Sequence, residues 1–542
     1  MRSMLKKLLT NEKLLRYCGF AVLVLYIATL LTVNFAGIKS NMVADMYSDI
    51  NLAKMMWEQK SLFPEGWIFG NQYYVIATPV LCSLIYGFVG DGVLAMSIAT
   101  TIMTALILAS FIWMLSPLVK NSTDPGFRTF ASLAALSTVI CVNAPFSRNG
   151  QLFYTMASYY ACYVIVEYLA IGHYVRLLHT ERSRRDRAVT LAVISVLCFC
   201  SGMQSLRQTA VLILPLCGFE ALRLAYEYVI EKKKVSLLPT AHTAIISAAN
   251  ILGWLVMKLM KVPNISIIYG STGGVSAAVN RGGFGRNFEE LAELLGFDLM
   301  IRPEKLRLLL VPALSLFCIG VTVLAAVMLC RRRELHSGFA AIMLILALSV
   351  AAVFAAGLFT NLDMRSIYFF TVFPLFAAAF AYCLERFDGV RRGAAVAVLL
   401  CFALVSAVCS YVSPLKVIAN GEIDARNRAM TEWMMENDYD IVYGGWDICE
   451  KAAVESKGQI KPGYGVFSGG VDSYQICRYL NYQDIYSEED NARAVYILAP
   501  EHRDVMLQRA KEMGAEMTLR YVSEDGAYEL YTSSKQLMHF GS

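Results

Sequence analysis

Charge is what this sequence has least of. Only 17% of its 542 residues are charged, against 57% hydrophobic, and mean hydropathy is +0.50. Soluble chains carry about 25% charged and 45–50% apolar residues, so a wholly soluble protein is excluded. No CxxC pair or other zinc-like spacing occurs among the 14 cysteines. Most of them lie in apolar runs, where a thiol behaves as a small hydrophobe. Cys449 and Cys477 alone stand in polar sequence, which leaves a disulfide between them open. Fixed-period repeats and low-complexity segments are also absent. Ionisable residues are rare inside the apolar runs; Glu167 is the clearest, and it reads as lying near the inner end of its run, where it can snorkel. Ion-coupled transporters usually carry mid-membrane charge or broken helices in matching halves, and neither pattern is evident. The net charge of +5 calls for no nucleic-acid partner, because the basic residues cluster in short connections.

What is present is a series of apolar runs near the 20-residue length that crosses about 30 Å of hydrocarbon. They fall near 17–37, 93–117, 129–145, 151–175, 188–203, 211–230, 241–259, 308–330, 338–359, 366–384 and 394–412. The first follows KKLLTNEKLLR, is longer than a signal-peptide core and leads into further spans, so it reads as an uncleaved anchor. The Lys/Arg bias assigns the N-terminus and connections such as RLLHTERSRRDR and RRRELHSG to the cytoplasm. Residues 38–92, 260–307 and everything after the last span then lie outside. QYYVIATPVLCSLIYGFVG (72–90) is apolar enough to span, but counting it would move RLLHTERSRRDR outside. It reads instead as a helix in the outer interface, with Tyr73 and Tyr74 at headgroup level.

The expected fold is mainly α: a polytopic bundle of about 11 spans over residues 1–412, N-terminus in and C-terminus out, with interfacial external helices. Residues 413–542 turn soluble in composition and form a small extracytoplasmic α/β domain. DIVYG and RAVYILAP read as strands, EHRDVMLQRAKEMG as a helix stopped by Gly, and TLRYVSEDGAYELYTS as a hairpin around Asp525-Gly526. The same region holds Ser468-Gly469-Gly470-Val471-Asp472-Ser473, which looks like the phosphate loop of the ATP pyrophosphatases. It faces away from cytoplasmic ATP, and too little chain follows for a nucleotide domain. It reads as a tight turn into a helix cap.

Polar residues converge at the outer ends of the spans. Asp45 and Asp49 are four apart, hence on one face of a helix that Ser48 or Asp45 would cap. Trp67, Tyr73 and Tyr74 suit sugar stacking or interface anchoring. Arg148, Arg207 and Arg365 run against the positive-inside trend, and together they suit an anionic phosphate. The glycine-rich KVPNISIIYGSTGGVSAAVNRGGFGRNFEELAELLGFD reads as a flexible connector or, functionally, a lid.

With its acidic loop directly after the first span, an amphipathic interfacial segment, and then GDGVLAMSIATTIMTALILASFIWML, the chain resembles the GT-C membrane glycosyltransferases. The likeness is greatest to the protein O-mannosyltransferase and aminoarabinose-transferase branch. Asp49-Ile50-Asn51-Leu52 is similar to the acidic opening of that branch's first external helix, YYVIATPVLCSLIYGFVG to its second juxtamembrane helix, and MRSIYFFTVFPLF to its late Arg-Tyr-Pro span. The acidic pair here is spaced rather than adjacent, and Thr78-Pro79 stands where two prolines are common. The resemblance implies a polyprenyl-phosphate-linked sugar donor and an envelope glycan or protein acceptor. Asp49, or else Asp45, would be the general base of an inverting transfer, with the three arginines on the lipid phosphate. Two aspartates leave room for a divalent cation, but the sequence identifies no third ligand. A lipid-linked saccharide flippase and a non-catalytic envelope scaffold are the alternatives.

Overall fold

In the computed structural model the chain is described over residues 11–119, 158–265, 281–297, 310–398, 422–464 and 485–538, less a few single residues and short stretches within those ranges. Seven helices among the described residues are long and apolar enough to cross a membrane. They lie in α4 (Gly92–Val119), α5 (Ala161–His179), α6 (Arg184–Gln204), the stretch Thr209–Ile230 built on α7 (Leu214–Ala225), α8 (Leu238–Met260), α11 (Gly338–Phe359), and the stretch Ser366–Arg386 built on α12 (Val372–Arg386). α1 (Glu12–Leu31) precedes them, and α10 (Leu310–Arg331) contributes a shorter apolar helix, Ser315–Arg331. The chain is a multi-pass membrane protein. The runs expected at 129–145 and over most of 394–412 lie outside the described residues.

Small residues set the closest helix pairing. A side chain at Gly202 would strike the Asn250 carbonyl of α8, and one at Gly253 would strike the Phe199 carbonyl of α6. With only hydrogens there, the two backbones approach closely enough for van der Waals attraction and polar contacts to join them. Asn250 supplies such contacts, donating to the Cys198 carbonyl at 3.0 Å and accepting from the Thr209 hydroxyl at 2.7 Å.

The segment between α1 and α4 holds two shorter helices. α2 (Ala44–Gln59) contains no Gly or Pro, carries Asp45 in its first turn where the helix dipole favours an acid, and stops at Lys60 in the left-handed region. α3 (Thr78–Val89) opens with Pro79, whose fixed φ suits a first turn, and closes at Gly90 with φ +68°. Its 12 residues reach about 18 Å, too short for a span, as the sequence reading required. Between α2 and α3 the chain is extended and pairs through Phe69 with Asn264 just beyond α8.

The C-terminal part is a five-stranded mixed sheet of order β2-β1-β3-β5-β4. β1 (Ile441–Gly444), β2 (Lys461–Tyr464) and β3 (Ala494–Leu498) are parallel, while β4 (Met517–Val522) and β5 (Glu529–Ser533) form the antiparallel hairpin, turning at Gly526 with φ +69°. The two strands, the hairpin and the helix α15 (Pro500–Glu512) fall where the sequence placed them. β2, α13 (Glu422–Glu436) and α14 (Trp446–Glu455) had not been anticipated. One apolar cluster runs from the bundle into this part, joining residues such as Tyr168 and Phe369 to Met430, Val442 and Cys449. Cys449 is buried, while Cys477 and the SGGVDS segment lie outside the described residues.

Candidate functional site

α2 is held on two flanks. On one, Met46, Tyr47, Ile50 and Ala53 pack with Cys82 of α3 and Ala95, Met96 and Ala99 of α4. Asp49 is buried on this side. Burial, and after it the Asp49 carboxylate, push the Cys82 thiol far above its ordinary range, so the thiol stays neutral beside the acid. Asp45, one turn earlier, is half-buried. On the other flank, α14 lies against α2. Glu450, wholly buried, accepts from the Ser48 hydroxyl and the Asn51 amide, each at 2.7 Å. Ser48 also accepts from Trp446 Nε1 at 3.1 Å. Lys39–Glu455 at 2.8 Å and Lys54 Nζ to the Lys457 carbonyl at 2.9 Å extend the contact. Neither expected cap operates: α2 begins after Val43 with no side-chain cap, because Ser48 sits a turn inside and is committed to Glu450.

The extended stretch after α2 meets the start of α7. Gln204, last residue of α6, accepts from the Val75 and Ile76 amides through its Oε1 and from the Tyr73 amide through its carbonyl. Arg207 follows, donating to Gln72 Oε1. Its guanidinium stands 4.9 Å from the Tyr160 ring centroid and 5.9 Å from that of Tyr368, within reach of both π faces. The two rings meet edge to face at 6.1 Å. Burial holds the Tyr160 phenol above its ordinary range, although the charge of Arg207 pulls the other way, so a neutral ring faces a permanent cation.

The predicted residues therefore divide. Arg207 and the 72–74 stretch come together. Arg365 is exposed and precedes the 3-10 turn Ser366–Phe369 that carries Tyr368, so it enters the neighbourhood one turn away. Asp45 and Asp49 belong to α2, whose apolar residues form the cluster against which Tyr160 packs. Arg148 lies outside the described residues. Three expectations are corrected. Trp67 is 2% exposed and Tyr74 is 8% exposed, packed in the core rather than offered to a sugar or to headgroups. Tyr73 is tied by its hydroxyl to the Val262 carbonyl at 3.0 Å and to Asn264, and burial raises its pKa more than the Asn264 bond lowers it. Glu167 is wholly buried, so it does not snorkel. The loop beyond α8 is also less of a free connector than expected. Its α9 (Arg281–Leu294) docks on α11 through Asn287, and Glu290 accepts from the Ser366 amide at 2.6 Å. The glycine-rich 266–280 lies outside the described residues.

Tyr160, Tyr368, Gln72 and Glu450 were missed. TYR-rich span openings such as Tyr159-Tyr160 carried a faint signal, but Glu450 carried none, since its partners lie 399 and 402 positions away.

These features define a multi-pass helical membrane protein with two short helices after its first helix, an acid-bearing one and a proline-opened one, and an α/β part seated on the first of them. No known protein family and no curated protein matches the sequence. Solved structures do match the fold. The crystal structure of ArnT from Cupriavidus metallidurans in the apo state is similar at TM-score 0.54 and 11% identity, covering 96% of this chain and 99% of that one. ArnT bound to undecaprenyl phosphate is similar at 0.52 and 10%, with the same coverage. At the level of the fold, the GT-C resemblance read from the sequence is borne out.

Proposed function

We propose that this chain is an inverting membrane glycosyltransferase that moves a sugar from a polyprenyl-phosphate donor to a hydroxyl of an envelope glycan or protein, outside the cytoplasm. The observation that carries this reading is Tyr160. Its ring packs against the α2–α3 cluster that holds Asp49, and Arg207 stands over the same ring. One phenol thus touches both the cluster of the acid-bearing helix α2 and a guanidinium suited to an anion. The likeness to ArnT, which binds undecaprenyl phosphate, supports a lipid phosphate as the anion. In this reading the α2 end faces outward, opposite the basic connections, and residues 413–542 form an extracytoplasmic domain.

Asp49, or Asp45 on the same face, takes the proton of the acceptor hydroxyl as its oxygen attacks the anomeric carbon. The C–O bond to phosphate breaks on the opposite side, which inverts the configuration. Base assistance contributes about 10²–10⁴ in rate. Arg207 and Arg365, with Arg148 as a third candidate, hold the phosphate and stabilise the charge gathering on it; removing one such donor costs about 10²–10³. Phosphate leaves without protonation, so no second carboxylic acid is needed, unlike glycoside hydrolysis. Among the described residues no three His, Cys, Asp or Glu side chains gather as metal ligands do, and no step is routed through a divalent cation.

The test is mass spectrometry of envelope polymers from cells with and without the protein, repeated with Asp49→Asn, Asp45→Asn and Arg207→Ala. Loss of one hexose-like substituent without the protein identifies the reaction, and one of the Asn variants reproduces that loss. Arg207→Ala also abolishes binding of undecaprenyl phosphate by the purified chain. Unchanged glycans in cells lacking the protein would overturn the proposal.

A further inference from the structure

Glu167 is a carboxylate that the transfer reaction does not use. It lies in α5, seven residues after Tyr160, and it has no exposed surface. Neither of its carboxylate oxygens has a hydrogen-bond partner. Its surroundings follow from its neighbours on the same helical stripe. Tyr163, one turn before, shares a 2.8 Å hydrogen bond with the Ser205 hydroxyl, and Tyr174, two turns after, donates to Glu220. Both partners belong to the chain that enters and forms α7. Glu167 lies on the same stripe of α5 between these two contacts, and the chain they reach widens into a π-turn over Thr209–Ile213. Such turns recur at functional sites.

Gln208, immediately before that turn, is also wholly buried. Its Nε2 donates to the Tyr163 carbonyl at 3.4 Å, the carbonyl that the Glu167 amide approaches within the α-helix. That bond fixes which end of the amide is nitrogen. It leaves Gln208 Oε1 without a partner. Three buried acceptor oxygens, two from Glu167 and one from Gln208, are thus without a hydrogen-bond partner, and Gln208 is joined to α5 one turn before Glu167. Native proteins rarely bury polar atoms unpaired, and an isolated buried carboxylate is far costlier than a buried amide.

Among the described residues no unengaged charge is found on the elements around this arrangement. Along the chain from Ser205 to Ala225 the charged groups are Arg207, engaged with Gln72, and the Glu220–Arg223 pair, 2.6 Å apart and bonded further to Tyr174, Thr240 and Glu227. α4 and α11 contain no charged residue, and the Ser349 hydroxyl of α11 is buried without a partner. α6 keeps its charges at Arg184, Arg185, Asp186 and Arg187, at the far end of that helix. On α8, His242 is occupied by His173 at 2.9 Å, and Lys258 stands 5.2 Å from the Trp254 ring. On α5 itself, Arg176 donates to the Gly172 carbonyl, 2.8 Å away, and to Ser116 at 2.6 Å.

We propose that Glu167 and Gln208 form an internal binding site for a small cation, either a proton on the carboxyl group or a sodium ion held by the three oxygens. A set made only of acceptors selects a positive or proton-bearing occupant, and complete burial of both side chains favours a small one. The site serves the stability of the bundle and does not depend on the transfer reaction.

Thermal unfolding of the full purified chain in detergent tests this, in sodium chloride against choline chloride and from pH 5 to pH 9. For the sodium form, the midpoint rises by several degrees with sodium and not with choline, and Glu167→Gln abolishes that response. For the proton form, sodium has no effect, the midpoint falls as pH rises, and the Glu167→Gln profile is flatter by that amount. Gln208→Leu leaves the carboxylate in place and weakens the sodium response, which gives a second reading should Glu167→Gln fail to fold. A wild-type chain whose midpoint responds to neither sodium nor any Glu167-dependent pH change overturns the proposal, leaving buried water as the partner of these oxygens.

Discussion

Glu450 and Glu167 are both fully buried carboxylates, and they are opposite in kind. Glu450 receives two hydrogen bonds from α2, while Glu167 receives none. The first is satisfied by another part of the same chain and so acts as a fastener between the C-terminal sheet and the bundle. The second is left to something the chain does not supply. Burial alone therefore says little about what an acidic residue does; the donors around it decide.

The comparison can be broken by truncation. The largest effect is expected for Glu450→Ala, which strands the Ser48 hydroxyl and the Asn51 amide in a dry interface. Hydrogen bonds to a charged group contribute about 1.5–3 kcal/mol each, so the interface loses several kcal/mol. Hydrogen exchange should show the amides of α2 losing protection while those of α6 and α8 keep theirs, and sugar transfer should fall with them. Equal protection of α2 in both proteins would show that Glu450 does not hold this helix. Glu450→Gln retains one acceptor oxygen, and about half of that loss is expected in the same measurement.

Glu167→Leu should run the other way. In sodium-free buffer at high pH, replacing an unpartnered acid by an apolar group of similar size raises the unfolding midpoint or leaves it unchanged. A fall of several degrees would place Glu167 with Glu450, as a group already satisfied by the protein. The smallest effect belongs to the exposed rim of the sheet. Slight burial works against the charge of Asp525, but the Ser523 hydroxyl, the Ala527 amide and Arg426 outweigh it and hold its pKa below the ordinary 3.8. A carboxyl held down in the folded state contributes stability above its unfolded pKa and loses it as pH falls below about 3.8. Asp525→Asn should therefore remove less than about 1 kcal/mol near neutral pH, because the pair is solvent-screened, and nothing in strong acid. Acid-unfolding curves of the two proteins check this.

Much of the fold was legible because it follows from local rules. An apolar run near 20 residues meets the thickness of a bilayer, and the run at 72–90, set apart from the spans because the basic connections could not otherwise share one side, holds only the 12-residue α3. Gly514 and Gly526 marked the end of α15 and the turn of the hairpin, since both need positive φ. β2 was missed because Lys-Pro-Gly-Tyr has none of the β-branched character of a strand and is held in the sheet by β1. At the candidate site, Asp45 and Asp49 were visible from a spacing of four. The aromatic stretch was misjudged because hydropathy does not distinguish a tryptophan against lipid from one inside protein.

By itself, then, the sequence determined that this is a membrane protein, where most of its helices and strands begin and end, and which residues could bear charge at one end of the bundle. Those properties depend on neighbours within a few positions along the chain. Only the tertiary structure decided that Trp67 is core, that Arg207 stands over Tyr160, that α14 grips α2, and that Glu167 is buried without a donor. Each of these depends on groups brought together from distant positions, where hydrogen-bond geometry and desolvation act over a few ångströms irrespective of sequence separation.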